Sequence, residues 1–163
     1  MDLSNDFRGA MRRLQSGVAI ITSNHNGTDF GIVISALMSL SMDPPSLLVS
    51  LNKSASITNP LLEARKFCLN LLSEEQKDFC NLFSKTSFEN RFSDKAWQKN
   101  EDGIMFLPNS QAIIFCQAAA NMEYETHNII VGNVDKILLK EEIAPLSYVD
   151  GRYVGAKPLE MQN

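Results

Sequence analysis

Histidine is the scarcest chemically useful residue in this chain: among 163 residues there are two, His25 and His127. That excludes a histidine-rich metal centre, and neither residue lies in an H-E-x-x-H helix or a Cys/His zinc spacing. Cysteine is nearly as sparse. Cys68, Cys80 and Cys116 are scattered, odd in number and without a C-x-x-C pair. They fit a reducing compartment and read as small apolar residues of the interior. Basic residues nowhere cluster more densely than Arg12-Arg13, and the net charge is −4. Nucleic acid is excluded as an expected partner, because binding phosphates needs a concentrated cationic face. No apolar run reaches membrane-spanning length, so no membrane association is expected. The opening MDLSNDFRGA has neither the basic nor the apolar region of an export signal. A cytoplasmic location is the expectation. A G-x-S-x-G nucleophile elbow is missing too. Nothing in the sequence resembles a linker, a repeat or a low-complexity tract, and residues 1–163 read as one domain. Chemistry in such a chain would belong to a bound cofactor.

What is present is a succession of short apolar runs separated by turn residues. Residues 3–15 have the spacing of an amphipathic helix, with Phe7, Ala10, Met11 and Leu14 on one stripe and Ser4 or Asn5 as its cap. A β-branched strand over 18–22 leads to a hairpin tip at Asn24-His25-Asn26-Gly27, where His25 reads as an exposed loop residue; the return strand covers 30–37. Asp43-Pro44-Pro45 breaks the chain before a buried strand at 47–51. A short helix at 57–65 and a strand at 67–72 follow. Ser73 and Gln76 form a capping box for a helix facing inward through Phe79, Leu82 and Phe83. Residues 84–110 are polar and irregular, anchored by Trp97 and Phe106. Two long strands are predicted at Ala112–Tyr124 and 128–139, and a short one at 146–148. Asp150-Gly151 then turns the chain into Arg152-Tyr153-Val154. Many strands at short spacing without strand–helix alternation predict a mainly β, antiparallel, Greek-key-like barrel with peripheral helices.

Four groups of residues could carry function. After Leu51 comes a hydroxyl-rich loop, Asn52-Lys53-Ser54-Ala55-Ser56. Its serines either cap the following helix or, with backbone N–H groups and one ammonium, cradle a phosphate. Ser35, Ser39 and Ser41 alternate along a strand and its exit, as a polar face against water or as hydroxyls beside a flat heterocycle. His127, at a strand entrance, is the best placed histidine for a polar contact with substrate. Arg152 and Tyr153 form either an edge-strand surface or a wall of the ligand site.

The pieces FRGAMRRLQSGVAIIT (7–22), GIVISALMSLSMDPPSLLVSLNKSASITNPL (31–61), KFCLNLLSEEQ (66–76), Arg91-Phe92 with Trp97, ETHNIIVGNV (125–134) and PLSYVDGRY (145–153) occur together and in order. In these the chain resembles the flavin reductase family with the FMN-binding split-barrel fold, and within it the small reductase components of two-component flavin monooxygenases. The resemblance implies a homodimer that takes FMN or FAD, accepts hydride from NADH or NADPH, and passes reduced flavin to an oxygenase by diffusion. It implies that Val33, Ile34, Ser35 and Ala36, with Ser39 and Ser41 at the corner, contact the ring and ribityl chain. Leu51, Asn52, Lys53, Ser54 and Ser56 would take the phosphate, His127 would lie near the nicotinamide as the catalytic group, and Arg91, Phe92, Arg152 and Tyr153 would complete the site. The chain departs from the family at Val33-Ile34, where relatives often have Thr-Ala, at Val154, and at Glu125-Thr126-His127, where glycine is common at the first position. An inward Glu125 would disfavour the 2′-phosphate of NADPH, so NADH is the expected donor. The same departures leave open a flavin-binding or carrier protein with little reductase activity. A split-barrel oxidase acting on its own phosphorylated substrate would need more basic residues than this acidic chain has.

Overall fold

The computed structural model describes residues 2–157 and 159. The chain forms α1 (Leu3–Met11), β1 (Ser16–Gly17), β2 (Ala19–His25), β3 (Thr28–Ile34), β4 (Leu37–Met42), β5 (Pro45–Asn52), α2 (Thr58–Ala64), β6 (Lys66–Leu71), α3 (Lys77–Lys85), β7 (Gln98–Lys99), β8 (Met105–Phe106), β9 (Ala112–Tyr124), β10 (His127–Leu139), β11 (Leu146–Val149) and β12 (Arg152–Gly155). Single turns of 3₁₀-helix at Glu74–Gln76 and Phe88–Asn90 flank α3. Seven antiparallel strands pair in the order β3-β2-β6-β9-β10-β5-β4, and β1, β11 and β12 form a second small sheet. The barrel expected from the strand spacing is therefore the fold.

Local chemistry explains most element ends. Asn26 and Gly27 have φ of 51° and 80°, so the β2–β3 hairpin turns with both central residues left-handed, as a two-residue loop requires. Pro60 occupies the first turn of α2, where no intrahelical N–H is needed. α1 is shorter than its 3–15 periodicity predicts. Beyond Met11 the chain tightens into i→i−3 bonds, with the Arg13 N–H on Ala10 O (3.0 Å) and the Leu14 N–H on Met11 O (3.1 Å). Its cap is Asp2, whose carboxylate accepts the Ser4 N–H at 3.1 Å, rather than Ser4 or Asn5. The apolar stripe of α1 stays outside the core: Phe7, Met11 and Leu14 are all exposed.

The main core joins the two ends of the large sheet. Ala19, Ile21 and Ile34 pack in one cluster with Leu47, Val49, Leu51, Phe67, Leu69 and Ile130. Gly132 on β10 admits Phe67 so closely that a Cβ there would lie 2.5 Å from its Cζ. A second cluster gathers Val18, Ile20, Leu72, Cys80, Phe83, Trp97 and Leu107 around edge-on aromatic contacts of Trp97 with Phe79 and Phe92. All three cysteines are buried and free, as their scatter predicts. Burial pushes the Cys116 thiol up to about 12, and Cys68 and Cys80 also rise, so none is a thiolate at neutral pH.

The long strands β9 and β10 are joined by the two-residue turn Glu125-Thr126, and Glu125 holds φ of 46°. A residue with a Cβ is disfavoured in this region by about 1–2 kcal/mol. The side chain is exposed, so little in the fold opposes its removal. Replacing Glu125 with glycine is expected to stabilise the fold by about 1 kcal/mol, read as a higher denaturation midpoint at unchanged slope; an equal or lower midpoint would show that the turn is not strained.

Candidate active site

The register of the β5–β10 pair builds one end of the site. Asn52 lies opposite His127, and the Lys53 N–H donates to Thr126 O at 2.9 Å, fixing loop 52–56 against the β9–β10 turn. Thr126 Oγ1 lies 2.9 Å from His127 Nδ1, which leaves Nε2 of this exposed ring unengaged among the described residues. Asn52 organises the loop. Its Oδ1 accepts the Ser54 N–H (2.9 Å) and hydroxyl (2.8 Å), and its carbonyl accepts the Ala55 N–H (3.0 Å) and the Thr58 hydroxyl (2.7 Å).

This wiring removes one of the two readings of the loop. The residue before α2 is Ile57, and α2 has no side-chain cap, so neither Ser54 nor Ser56 caps it. It also narrows the other reading, because the Lys53, Ser54 and Ala55 N–H groups are already taken. The donors with no acceptor among the described residues are the N–H groups of Ser56 and Ile57, the Ser56 hydroxyl and the Asn52 side-chain amide. Lys53 Nζ reaches the same loop but lies 2.8 Å from Glu123 Oε2, with both side chains partly exposed.

The other end is a cavity of about 160 Å³ walled by Val18, Val33, Ile34, Ser35, Tyr148 and Tyr153. Tyr148 and Tyr153 are paired across β11–β12, their rings edge to face at 5.4 Å. Burial, with Cys80 alongside, pushes the Tyr153 hydroxyl up to about 12, so it remains a neutral donor. The two ends are joined by the exit of β3, where the Ala36 carbonyl accepts the Ser50 N–H at 3.0 Å. Ser50 is two residues before Asn52. Ser35 and Ala36, both exposed, therefore stand between the tyrosine-walled cavity and the strand that leads into loop 52–56.

Other residues singled out from the sequence lie elsewhere. Arg91 sits behind β3, donating from Nη1 to Gly31 O at 2.9 Å, and Phe92 packs on Phe83 and Trp97. Leu51 is a core residue, and Ile34 directs its bulk into the same core while touching the cavity only at its edge. Ser41 is engaged in its own turn, accepting the Asp43 N–H at 3.2 Å and donating to Asp43 O at 3.1 Å. Ser39 is exposed on the edge strand β4 and Arg152 at the start of β12, neither in the cavity wall. His25 is not a free loop residue: Nε2 lies 2.9 Å from Glu63 Oε2 on α2. Sequence reasoning did not pick out Tyr148, Val18, Thr126 or Glu123. Tyr148 could have been found from the Asp150-Gly151 hairpin, which sets it opposite Tyr153. Glu123 could not, since its meeting with Lys53 depends on the pairing of three strands.

The arrangement fits a flavin nucleotide: an apolar and aromatic recess for a ring, strand backbone for polar ring edges, and free donors with an ammonium for a phosphate. Comparison with known proteins agrees. The model of the flavin reductase like domain matches residues 11–157. The reductase component of an FADH(2)-dependent resorcinol hydroxylase from a Rhizobium species is 36% identical, covering 96% of this chain and 89% of that protein. The FMN reductase (NADH) RutF of Pantoea ananatis is 34% identical over 91% of this chain and 78% of its own length. Among solved structures, a flavin reductase domain protein from Arthrobacter sp. FB24 superposes with a TM-score of 0.91 at 25% identity, covering 98% of this chain and 99% of that one. Flavin reductase HpaC complexed with NADP+ superposes with a TM-score of 0.86 at 25% identity, covering 96% of this chain and 99% of that one. With the domain match spanning most of its length, the chain belongs to the flavin reductase family.

Proposed function

We propose that the protein is a flavin reductase that uses a reduced nicotinamide, NADH in preference to NADPH, to reduce FMN or FAD for a partner oxygenase. The observation that carries this reading is the tyrosine-walled recess joined to the strand of the donor-rich loop through the Ser50–Ala36 bond, in a chain of the flavin reductase family. A flavin bound there supplies the hydride-accepting chemistry, so the chain's own residues need only align the reactants and exclude water. Val33, Ser35, Ala36 and the tyrosine pair hold the ring. Ser56, Ile57 and Lys53 hold the phosphate through the donors left free by Asn52. His127, steadied by Thr126 at Nδ1, presents Nε2 to the carboxamide of the nicotinamide. Tyr153, neutral throughout the physiological range, gives the recess a polar edge without a charge. Relatives named as reductase components of resorcinol and 4-nitrophenol hydroxylating systems support an oxygenase as the partner served.

The chain acts as a homodimer. Met38, Leu40 and Met42 on β4, with Met122 and Tyr124 on β9, are exposed on strands leading away from the site. Apolar exposure of this extent on two strands of one sheet marks a protein–protein surface. No described helix is long and apolar enough to cross a membrane, and a cytoplasmic location is proposed with the reducing environment that three free thiols suit.

Mixed anaerobically with FMN and NADH, the protein is expected to bleach many equivalents of oxidised flavin; binding without bleaching would make it a carrier instead. His127→Ala is expected to lower turnover about tenfold without abolishing it, and complete loss with flavin still bound would contradict a purely orienting role. Light scattering in solution should give twice the chain mass, and a monomer at micromolar concentration would remove the dimer from the proposal.

A further inference from the structure

Lys53 is the only cation in the donor-rich loop 52–56, yet its ammonium is already committed: Nζ lies 2.8 Å from Glu123 Oε2. Glu123 is not a distant surface residue that happens to reach over. It stands on β9 opposite Asn128 on β10, and Asn128 in turn lies opposite Leu51, next to the loop. Three paired strands therefore place the Glu123 backbone beside the loop, within side-chain reach of Lys53. The Lys53 backbone is pinned as well, by its N–H bond to Thr126 O, so the ammonium cannot leave Glu123 by moving the loop.

From this geometry we infer that Glu123 is a specificity-determining residue that weakens the hold on flavin phosphate in proportion to the phosphate's charge. The inference rests on the flavin-reductase reading and deepens it. An incoming phosphate must share Lys53 with the Glu123 carboxylate and stand near that negative charge. The terminal phosphate of FMN carries nearly two negative charges at neutral pH. FAD has a diphosphate whose two phosphorus centres share an anhydride bond and carry one charge each, so the phosphate nearest the ribityl chain has one, and riboflavin has none. Glu123 thus penalises FMN most, FAD less and riboflavin not at all. Its consequence is a flavin that is aligned for reaction but leaves readily, as a molecule handed to another enzyme must.

The test is a fluorescence-quenching titration of wild type and Glu123→Gln with FMN, FAD and riboflavin, repeated in a Lys53→Met background. Glu123 is exposed, so the glutamine variant keeps the fold. The expected result is FMN binding about fivefold tighter in Glu123→Gln, a smaller gain for FAD, none for riboflavin, and a reduced gain for FMN once Lys53 is methionine and only the direct repulsion is relieved. Unchanged or weaker FMN binding, or an equal gain for riboflavin, would overturn the role of Glu123 while leaving the reductase reading intact. Failure of the wild type to bind any of the three flavins would overturn both.

Discussion

The seven-stranded sheet has two edges, β3 and β4, and they are consecutive in the chain. Only two residues, Ser35 and Ala36, separate them. The bond from Ser50 N–H to Ala36 O brings the exit of β3 onto β5 and so turns an open sheet into a barrel. The core depends on that join, because Ile34 from one edge packs in the same cluster as Val49 and Leu51 from the other. The site depends on it too. The recess proposed for the ring is walled by the last residues of β3, the loop proposed for the phosphate begins at the end of β5, and the join sets the distance between them. A flavin's ring and phosphate are separated by a ribityl chain of fixed length, so a barrel closed one residue out of register would present the two halves at the wrong spacing.

Behind the join, β3 is held flat by a second device. Gly31 has no room for a side chain, since a Cβ would lie 2.8 Å from Phe92 Cζ and 3.0 Å from Phe83 Cε1. Arg91 binds the Gly31 carbonyl, and its guanidinium sits 6.0 Å from the centre of the Phe83 ring. Arg91 and Phe92 therefore hold the strand from behind, and Arg91 also lines a cavity that shares Val33 and Tyr153 with the recess. Phe92, Phe83 and Trp97 form an aromatic cluster that must accept the bare backbone of Gly31.

How much of this was legible depended on the range over which each feature is determined. β9 was readable to its ends, and β10 within one residue, because their β-branched and small residues run long enough for period and turn to agree. The Asn26-Gly27 turn was readable because two adjacent left-handed residues leave few choices. The end of α1 was not, since its stripe through Leu14 continues past the point where the chain tightens. The loop 52–56 was half legible. Its composition pointed to a phosphate, but which donors are free follows from the hydrogen bonds of Asn52, and those depend on the backbone path. Glu123 lay beyond reach for the same reason: it meets Lys53 only through the pairing of β9, β10 and β5.

The size of the recess bears on how the site works. At about 160 Å³ it falls below the several hundred cubic ångströms that normally enclose a ligand of this kind. A single chain supplies a floor, one aromatic wall and a phosphate loop, but little that would keep water from a reacting ring. Hydride transfer between two stacked rings benefits from a dry face. The exposed Met38, Leu40 and Met42 continue from the join, and Tyr124 ends the strand beside the His127 turn. A second copy seated on those strands would cover the open side of the surface and bury apolar area at the same time. The same contact would then close such a dimer and complete the site.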